Sequence, residues 1–191
     1  MDAGENYERA LKDLLLAPEE ATKLKAPGGV KAAVLIPLYV AEGGLVAVFT
    51  RRTEELRRHA GEISFPGGRQ DPDEELWTTA LREANEEIGL APEQVTVVGA
   101  LPPTATFVTN YAVYPFVGVI EPGNSFRPNP VEVAEVVELA LADLAEGFER
   151  KRLIRRGVPI KTPTYTVGGH LIWGATARIV GQLLDRLHPL L

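Results

Sequence analysis

The sequence predicts a protein of the α/β or α+β class, in which a mixed β-sheet is covered by helices within one domain spanning residues 1–191. Length supports this, because 191 residues suffice to bury one well-filled core. Composition agrees, since 45% hydrophobic and 24% charged residues are typical of a globular protein. The predicted order of elements (helix, strands, helix, strands, helix) is typical of a sheet packed between helices.

The predicted strands are runs of branched and aliphatic residues bounded by glycine and proline. They cover residues 31–40, 45–50, 94–101, 111–120, 132–138, 151–155 and 159–167. Short glycine-containing connections at 41–44 and 156–157 predict two hairpins.

Helices are predicted where apolar side chains recur three and four residues apart. Apart from one helix in the middle of the chain, they cover residues 5–17, 141–148 and 171–187. The first of them lies in an N-terminal helical extension, residues 1–28, that precedes the first strand.

Several functional classes are disfavoured by composition. A net charge of −6 argues against a nucleic-acid-binding protein, which normally carries a basic surface. The chain has no cysteine, so disulfides and thiolate metal sites are excluded. It has no apolar run of membrane-spanning length, and its acidic start does not read as a signal peptide. We therefore expect a cytoplasmic protein without membrane contact.

The most informative segment is 68–90, which contains the central predicted helix. Asp71 is a suitable N-cap, Pro72 fits the first helical position, and Glu74 stands three residues after the cap, as in a capping box. Gly89 is suited to end the helix in a left-handed conformation. The sequence thus predicts a helix from about residue 72 to the residue before Gly89.

One face of this helix is apolar and its edge is strongly acidic. At about 100° per residue, the apolar residues fall on a single stripe: Leu76, Trp77, Ala80, Leu81, Ala84 and Ile88. Glu83, Glu86 and Glu87 lie together beside it, where like charges repel and the helix dipole disfavours anions. A divalent cation would explain the cluster, although a solvated acidic face partly neutralised by Arg82 is the simpler alternative for an isolated cluster.

The flanking residues decide between these alternatives. Gly68, Glu74 and the run from Arg82 to Leu90 resemble the Nudix box, GX5EX7REUXEEXGU, at every fixed position, with Ala84 where a larger aliphatic residue is common. The resemblance implies a Nudix-type α/β/α sandwich that hydrolyses nucleoside diphosphate derivatives with Mg²⁺ or Mn²⁺. It implies metal ligands at Glu83, Glu86, Glu87 and the backbone carbonyl near Gly68. Arg82 is expected to orient Glu83 or Glu86, and Glu74 to begin the helix.

A second resemblance lies immediately upstream. The segment is similar to the signature of the coenzyme A pyrophosphatase branch, LLTXR(S/A)X3RX3GX3FPGG, at Thr50, Arg52, Arg57, Gly61 and Phe65-Pro66-Gly67-Gly68. It departs at Val48-Phe49 and Thr53. The segment His170–Ala177 also resembles the closing helix of that branch, so the resemblance covers roughly residues 31–187. It implies substrate-binding roles for Arg52, Arg57, Gly61, Phe65 and Gly67.

The basic cluster fits this substrate chemically. Coenzyme A carries a 3′-phosphate beyond its diphosphate, and arginine forks pair well with phosphate oxygens. Arg51, Arg52, Arg57 and Arg58 are the available cations, of which Arg52 and Arg57 are the favoured contacts. The alternative is that these arginines lie on a solvated loop or pair with Glu54, Glu55 and Glu62. His59 is expected to be structural, and Glu62 is open between a metal or base role and an ion pair.

The expected reaction is metal-assisted attack of water on the diphosphate, with a carboxylate accepting the proton. Glu83 and Glu87 are the favoured ligands, and Glu86 is a ligand or the base. The turn at 129–135 offers a more distant base, Glu132, unless Glu132 and Glu135 are ordinary surface residues. For coenzyme A the products are 3′,5′-ADP and 4′-phosphopantetheine.

Three other functions remain open from the sequence. The nearest is hydrolysis of ADP-ribose or another nucleoside diphosphate derivative, and another is hydrolysis of oxidised nucleoside triphosphates. A non-catalytic nucleotide-binding module is disfavoured by the intact glutamates. A homodimer is compatible with the family resemblance.

Overall fold

The structure is a computed structural model that describes residues 3–54, 61–106, 110–155 and 158–191. Its helices are α1 (Ala3–Leu14), α2 (Pro18–Ala21), α3 (Leu76–Ile88), α4 (Leu141–Glu146) and α5 (Gly174–Leu187). Its strands are β1 (Val30–Ala41), β2 (Gly44–Arg52), β3 (Ile63–Ser64), β4 (Gly67–Arg69), β5 (Thr96–Ala100), β6 (Thr104–Ala105), β7 (Tyr111–Val119), β8 (Val133–Ala140), β9 (Phe148–Arg155), β10 (Val158–Val167) and β11 (His170–Ile172). Single 3₁₀ turns cover Pro92–Gln94 and His188–Leu190.

The larger of two sheets is mixed, as the order of elements predicted. Its main path is β3-β2-β1-β7-β5, and β4, β6 and β8 pair with β1, β7 and β2. Strands β1 and β7 run parallel with Val34 opposite Pro115, whereas the other pairs are antiparallel. Strands β9, β10 and β11 form a second, antiparallel sheet.

The large sheet separates two apolar layers and so forms an α/β/α sandwich. Helix α3 packs on one side of it, and α1 and α5 pack with the small sheet on the other. Val48 and Phe49, consecutive in β2, face the α3 layer and the α5 layer respectively, as strand alternation requires. Strand β1 is covered on both faces, which explains its nearly continuous apolar sequence.

The predicted long strands and the 41–44 hairpin are confirmed to within a few residues at each end. Strands β9 and β10 pair as predicted, although residues 156 and 157 between them lie outside the described residues. Strands β3, β4, β6 and β11 were not predicted, because two or three residues are too few to show alternation.

The predicted helices near the two ends of the chain have wrong boundaries. The segment 5–17 stops being helical after Leu14, because Leu16 bonds instead to the Ala100 backbone and Pro18 begins a separate short helix. The segment 171–187 becomes helical only at Gly174, whose φ is 69°. The residues before it form β11, in which Ile172 pairs with Tyr165, so the resemblance to a closing helix over His170–Ala177 is wrong at its start.

Among the described residues, none of the helices is both long and apolar enough to cross a lipid bilayer.

Candidate active site

The C-terminal end of α3 is fixed by a loop from the second half of the chain. The helix ends at Gly89, whose φ of 69° confirms the predicted left-handed terminus. The amide of Arg127 donates to the carbonyl of Ile88 at 2.8 Å, and the amide of Asn129 donates to that of Glu87, also at 2.8 Å. These bonds satisfy carbonyls that a helix end would otherwise leave unpaired. They hold the acidic end of α3 against the turn that leads into β8.

The start of α3 differs from the prediction. The helix begins at Leu76, with Glu75 at the N-cap and no side-chain cap, so the expected start at Asp71-Pro72 is wrong. Asp73 has a φ of 64°, which a continuous right-handed helix does not allow. Glu74 therefore lies outside the helix, where its carboxylate accepts a 2.7 Å hydrogen bond from the hydroxyl of buried Thr79.

Arg82 connects three acidic side chains, one that precedes α3 and two on the helix itself. Its guanidinium donates to both oxygens of Glu74, at 3.1 and 3.2 Å. It also donates to Glu83 at 2.9 Å and to Glu86 at 3.3 Å. The hydrogen bond from Arg82 lowers the pKa of Glu74, against the opposing effect of desolvation. Arg82 was expected to pair with Glu83 or Glu86; it pairs with both, and Glu74 is a further partner.

Glu87 is the most unusual ionisable group of the cluster. Only 4% of the residue is exposed, although it was expected at the edge of the apolar stripe. Desolvation raises the pKa of its carboxyl to about 8, and nearby Glu83 and Glu132 add to this, while Arg52 opposes it. Among the described residues, the cation paired with Glu87 is Arg52, whose Nη1 lies 4.0 Å from the carboxylate. Such a buried, weakly compensated acid is costly to ionise without a closer cation.

Glu83 lies beside the backbone of Gly68. A Cβ atom added to Gly68 would lie 2.5 Å from the carboxyl carbon of Glu83, so only glycine fits there. Gly67 is confined in the same way by the backbone of β1 at Ala33 and Val34. Desolvation raises the pKa of Glu83, and the charges of Glu86 and Glu132 act in the same direction, while Arg82 lowers it. The predicted ligand pair of Glu83 and the Gly68 backbone is therefore brought together.

Glu132 is held near these acids by its backbone. Its amide donates to the carbonyl of Asn129 at 3.0 Å, and its own carbonyl accepts the amide of Thr53 at 3.0 Å. The residue is partly exposed, and its charge raises the pKa of both Glu83 and Glu87. The structure therefore places Glu132 at the same site as the box glutamates, although 45 positions separate it from Glu87 in the numbering.

Two consecutive arginines leave the end of β2 in different directions. A register shift against β8 lies between Arg51 and Arg52, as expected for a bulge that redirects side chains. Arg52 faces Glu87, and its buried Nε finds no hydrogen-bond partner within the part of the chain that the structure describes. Arg51 pairs instead with Glu135 of β8 at 2.8 Å, a partner that was not expected.

Of the remaining residues predicted to bind substrate, one lies beside Arg52, one lies in the core and one is not described by the structure. Gly61 adopts a φ of 68° and donates its amide to the Arg52 carbonyl at 3.2 Å. Phe65 is 3% exposed and stacks on Phe49 with ring centroids 4.4 Å apart, so its ring belongs to the core and not to the site surface. Arg57, with Arg58 and His59, lies outside the described residues.

The carboxylates of Glu83, Glu86 and Glu87 can be compared with the ligands that a divalent metal ion requires. Within residues 3–54, 61–106, 110–155 and 158–191, no three acidic or histidine side chains already converge as a ligand set. The reason is that Arg82 holds Glu83 and Glu86, while Glu87 faces Arg52. Three carboxylates and the Gly68 backbone nevertheless provide the oxygen donors that Mg²⁺ and Mn²⁺ prefer. Burial of two of these acids favours a nearby cation, so the chemistry of the donors fits.

Comparison with known proteins identifies the family. The NUDIX domain family matches residues 29–158, more than half of the chain. The chain belongs to the Nudix family. An uncharacterized Nudix hydrolase NudL from Photorhabdus laumondii is 39% identical over 159 residues, covering 82% of this chain and 84% of that protein. As a Nudix hydrolase, the chain is an enzyme acting on phosphoanhydride bonds.

Solved structures agree on the fold. A MutT/nudix family protein from Enterococcus faecalis superimposes with a TM-score of 0.59 at 13% identity, covering 99% of this chain and 76% of that one. The NUDIX domain of Shewanella oneidensis NrtR, complexed with ADP ribose, gives a TM-score of 0.50 at 18% identity, covering 65% and 80%. Nudix enzymes generally use divalent ions such as Mg²⁺ or Mn²⁺ and bind nucleoside diphosphate derivatives.

Sequence reasoning missed three parts of this site. Thr79 was not noticed because a lone threonine beside an apolar stripe carries no signal, yet it is fully buried and bonds Glu74. The amides of Arg127 and Asn129 were missed because backbone donors leave no trace in residue types. The one available hint was the turn-forming Asn129-Pro130, which was used only to place Glu132.

Proposed function

We propose that this Nudix hydrolase cleaves the diphosphate of coenzyme A or its acyl derivatives, giving 3′,5′-ADP and (acyl-)4′-phosphopantetheine. The observation that carries the proposal is the position of Arg52. Its guanidinium lies 4.0 Å from Glu87 and has a buried Nε without a hydrogen-bond partner among the described residues. A buried unpaired donor is costly, so a phosphate oxygen is a suitable partner. Arg52 is also a fixed position of the coenzyme A pyrophosphatase signature.

Glu83, Glu86 and Glu87, with the Gly68 carbonyl, would hold the divalent ion. When bound, Mg²⁺ or Mn²⁺ supplies charge neutralisation of the diphosphate and acidifies coordinated water. For this to happen, Glu83 and Glu86 must turn from the Arg82 guanidinium, which now holds them at 2.9 and 3.3 Å. The ion pair of Arg82 with Glu74 need not break for this, so it would still hold the Arg82 side chain beside α3.

Two residues are candidates for accepting the proton from water. Glu86 has a side chain that is 58% exposed, so it is open to a water molecule and to substrate. Glu132 stands on a turn held by backbone hydrogen bonds to Asn129 and Thr53. We favour Glu132 as the base if Glu86 serves as a ligand, because a carboxylate bound to a cation is a weak base.

The test is product analysis by mass spectrometry in ¹⁸O-water, with Mg²⁺ or Mn²⁺ and with coenzyme A, 3′-dephospho-coenzyme A and ADP-ribose as substrates. We expect coenzyme A to be cleaved fastest. Glu83→Gln and Glu87→Gln should each reduce turnover by at least about a hundredfold. Glu93→Gln, at an exposed glutamate of a 3₁₀ turn, is the matched control.

Other outcomes have defined meanings. A marked preference for ADP-ribose would replace coenzyme A by that substrate, and near-normal turnover of both glutamate variants would remove the metal-site assignment. Absence of metal-dependent cleavage over a broad diphosphate panel would favour a nucleotide-binding module. The homodimer is a separate prediction, which sedimentation analysis tests directly.

A further inference from the structure

A groove borders the apolar layer that contains α5, since its lining residue Ile63 belongs to that layer, whereas α3 packs in the other layer. The volume of the groove is about 360 Å³, within the usual range for small-molecule sites. Its walls come from the ends of β2 and β3 on one side and from β11 and the residue after it on the other. The side chains that line it include Arg51, Ile63, His170 and Trp173.

The shape of the groove is set by tight turns. Gly168 and Gly169, between β10 and β11, have φ values of 56° and 84°, which gives a two-residue hairpin turn of the type that needs positive φ at both positions. Trp173 is extended, at the N-cap of α5. Ile63 is 5% exposed and part of the core, so it provides a fixed apolar floor.

The chemistry of the groove combines flat aromatic groups with a cation. His170 and Trp173 are both partly exposed and provide ring faces, on which a nucleobase stacks favourably. Arg51 donates through Nε to Glu135, and its terminal nitrogens donate no hydrogen bond to any residue that the structure describes. The four N–H groups on these two nitrogens are thus available to an anion.

The end of β2 connects the groove to the carboxylates. Arg51 lines it, whereas Arg52, the next residue, faces Glu87. Gly61 and Glu62 border the groove and are bonded to the Arg52 backbone at 3.2 and 3.0 Å. The two places are therefore separated by the end of a single strand. A substrate crossing that end would place its diphosphate at Glu87 and another part in the groove.

We propose that this groove is the subsite for the 3′-phosphoadenosine half of the substrate, with the base on Trp173 and His170 and the 3′-phosphate on Arg51. The proposal rests on the proposed function, since it names which half of the substrate lies there. The pantetheine half fits less well because it offers neither a ring to stack nor an anion for Arg51.

The experiment is a fluorescence titration of the full chain in EDTA, with Trp77→Phe so that Trp173 is the remaining tryptophan. We expect 3′,5′-ADP to quench Trp173 saturably and to bind about tenfold more tightly than 5′-AMP, which lacks only the 3′-phosphate, as one arginine–phosphate contact would give. We expect 4′-phosphopantetheine to cause no quenching. Absence of quenching by 3′,5′-ADP, equal affinity for the two nucleotides, or quenching by 4′-phosphopantetheine would overturn the proposal.

Matched variants separate phosphate binding from the ion pair. Arg51→Gln should abolish the preference for 3′,5′-ADP, whereas Glu135→Gln, which breaks the same pair but keeps the cation, should retain it. If both variants lose the preference equally, the pair is only structural and the assignment fails. Trp173→Leu should weaken both nucleotides about tenfold in calorimetry, and Trp173→Phe should restore most of the affinity.

The subsite and the proposed function fail in different ways. Because the titration contains no metal, binding of 3′,5′-ADP at Trp173 without cleavage of coenzyme A would remove the function and keep the nucleotide site. Cleavage of coenzyme A without binding of 3′,5′-ADP at Trp173 would keep the function and remove the nucleotide site. In the active enzyme, Arg51→Gln should reduce the ratio of kcat/KM for coenzyme A over dephospho-coenzyme A about tenfold.

Discussion

Replacing Glu87 by glutamine should make the metal-free protein more stable at alkaline pH while removing its response to metal. The carboxyl is buried, and desolvation raises its pKa from 4.5 to about 8. The folded state therefore holds a proton that the unfolded state loses above pH 4.5. The stabilisation of the folded state by the protonated Glu87 carboxyl is fully present below pH 4.5 and is lost as the pH rises through 8.

The magnitude follows from the size of the shift. Each pH unit between the unfolded and the folded pKa corresponds to about 1.4 kcal/mol of folding free energy. The free energy of unfolding of the wild-type protein should therefore fall by roughly 3 to 5 kcal/mol relative to that of Glu87→Gln between pH 5 and pH 9. Arg52, 4.0 Å from the carboxylate, reduces this loss to the extent that it moves closer. Glutamine has nearly the same shape and no charge, so its own stability should not follow this titration.

The assay is urea unfolding in EDTA at pH 5, 7 and 9, with Glu93→Gln as the exposed control. In a second series at pH 8, Mg²⁺ should raise the free energy of unfolding of the wild-type protein and of the control, but raise that of Glu87→Gln much less. Unfolding curves of wild type and Glu87→Gln that stay parallel within about 0.5 kcal/mol from pH 5 to pH 9 would refute the reasoning.

Three further variants test the geometry around α3. Gly68→Ala places a Cβ 2.5 Å from the carboxyl carbon of Glu83, so the Mg²⁺ concentration for half-maximal activity should rise at least about tenfold; an unchanged metal titration would contradict the close approach. Arg82→Lys loses the fork to both oxygens of Glu74, and kcat should fall about 10- to 100-fold with little change in KM, as steady-state kinetics would show. Gly89→Ala imposes a φ of 69° on alanine and should reduce the urea-derived stability by about 1–2 kcal/mol.

The sequence predicted the parts of the fold and site that depend on local pattern. The buried positions Leu76, Ala80, Ala84 and Ile88 of α3 follow directly from helical periodicity, and Trp77 and Leu81 pack partly buried beside them. Gly89 ends the helix as its residue type suggested. The fixed spacing of the Nudix box located the acids, because a helix brings residues three and four apart to one face.

What the sequence could not give depends on contacts between distant segments. Asp71-Pro72 has all the local features of a helix start, but Glu74 is held outside the helix by Arg82 and Thr79, and tertiary contacts override the local preference. Arg51 has acidic neighbours in the chain, yet it pairs with Glu135, 84 residues away, because β2 and β8 are adjacent. The burial of Glu87 likewise requires knowing what packs over the end of α3.

The bonds from the amides of Arg127 and Asn129 to the last carbonyls of α3 have a consequence for how this chain tolerates length changes. They anchor the stretch leading to Glu132 directly to the helix that bears Glu87, so the intervening chain does not set the separation of the two acids. Insertions or deletions at the exposed turn around Gly123 should therefore leave the acids in place. One residue added between Asn129 and Glu132 would break the turn and move Glu132 away from Glu87.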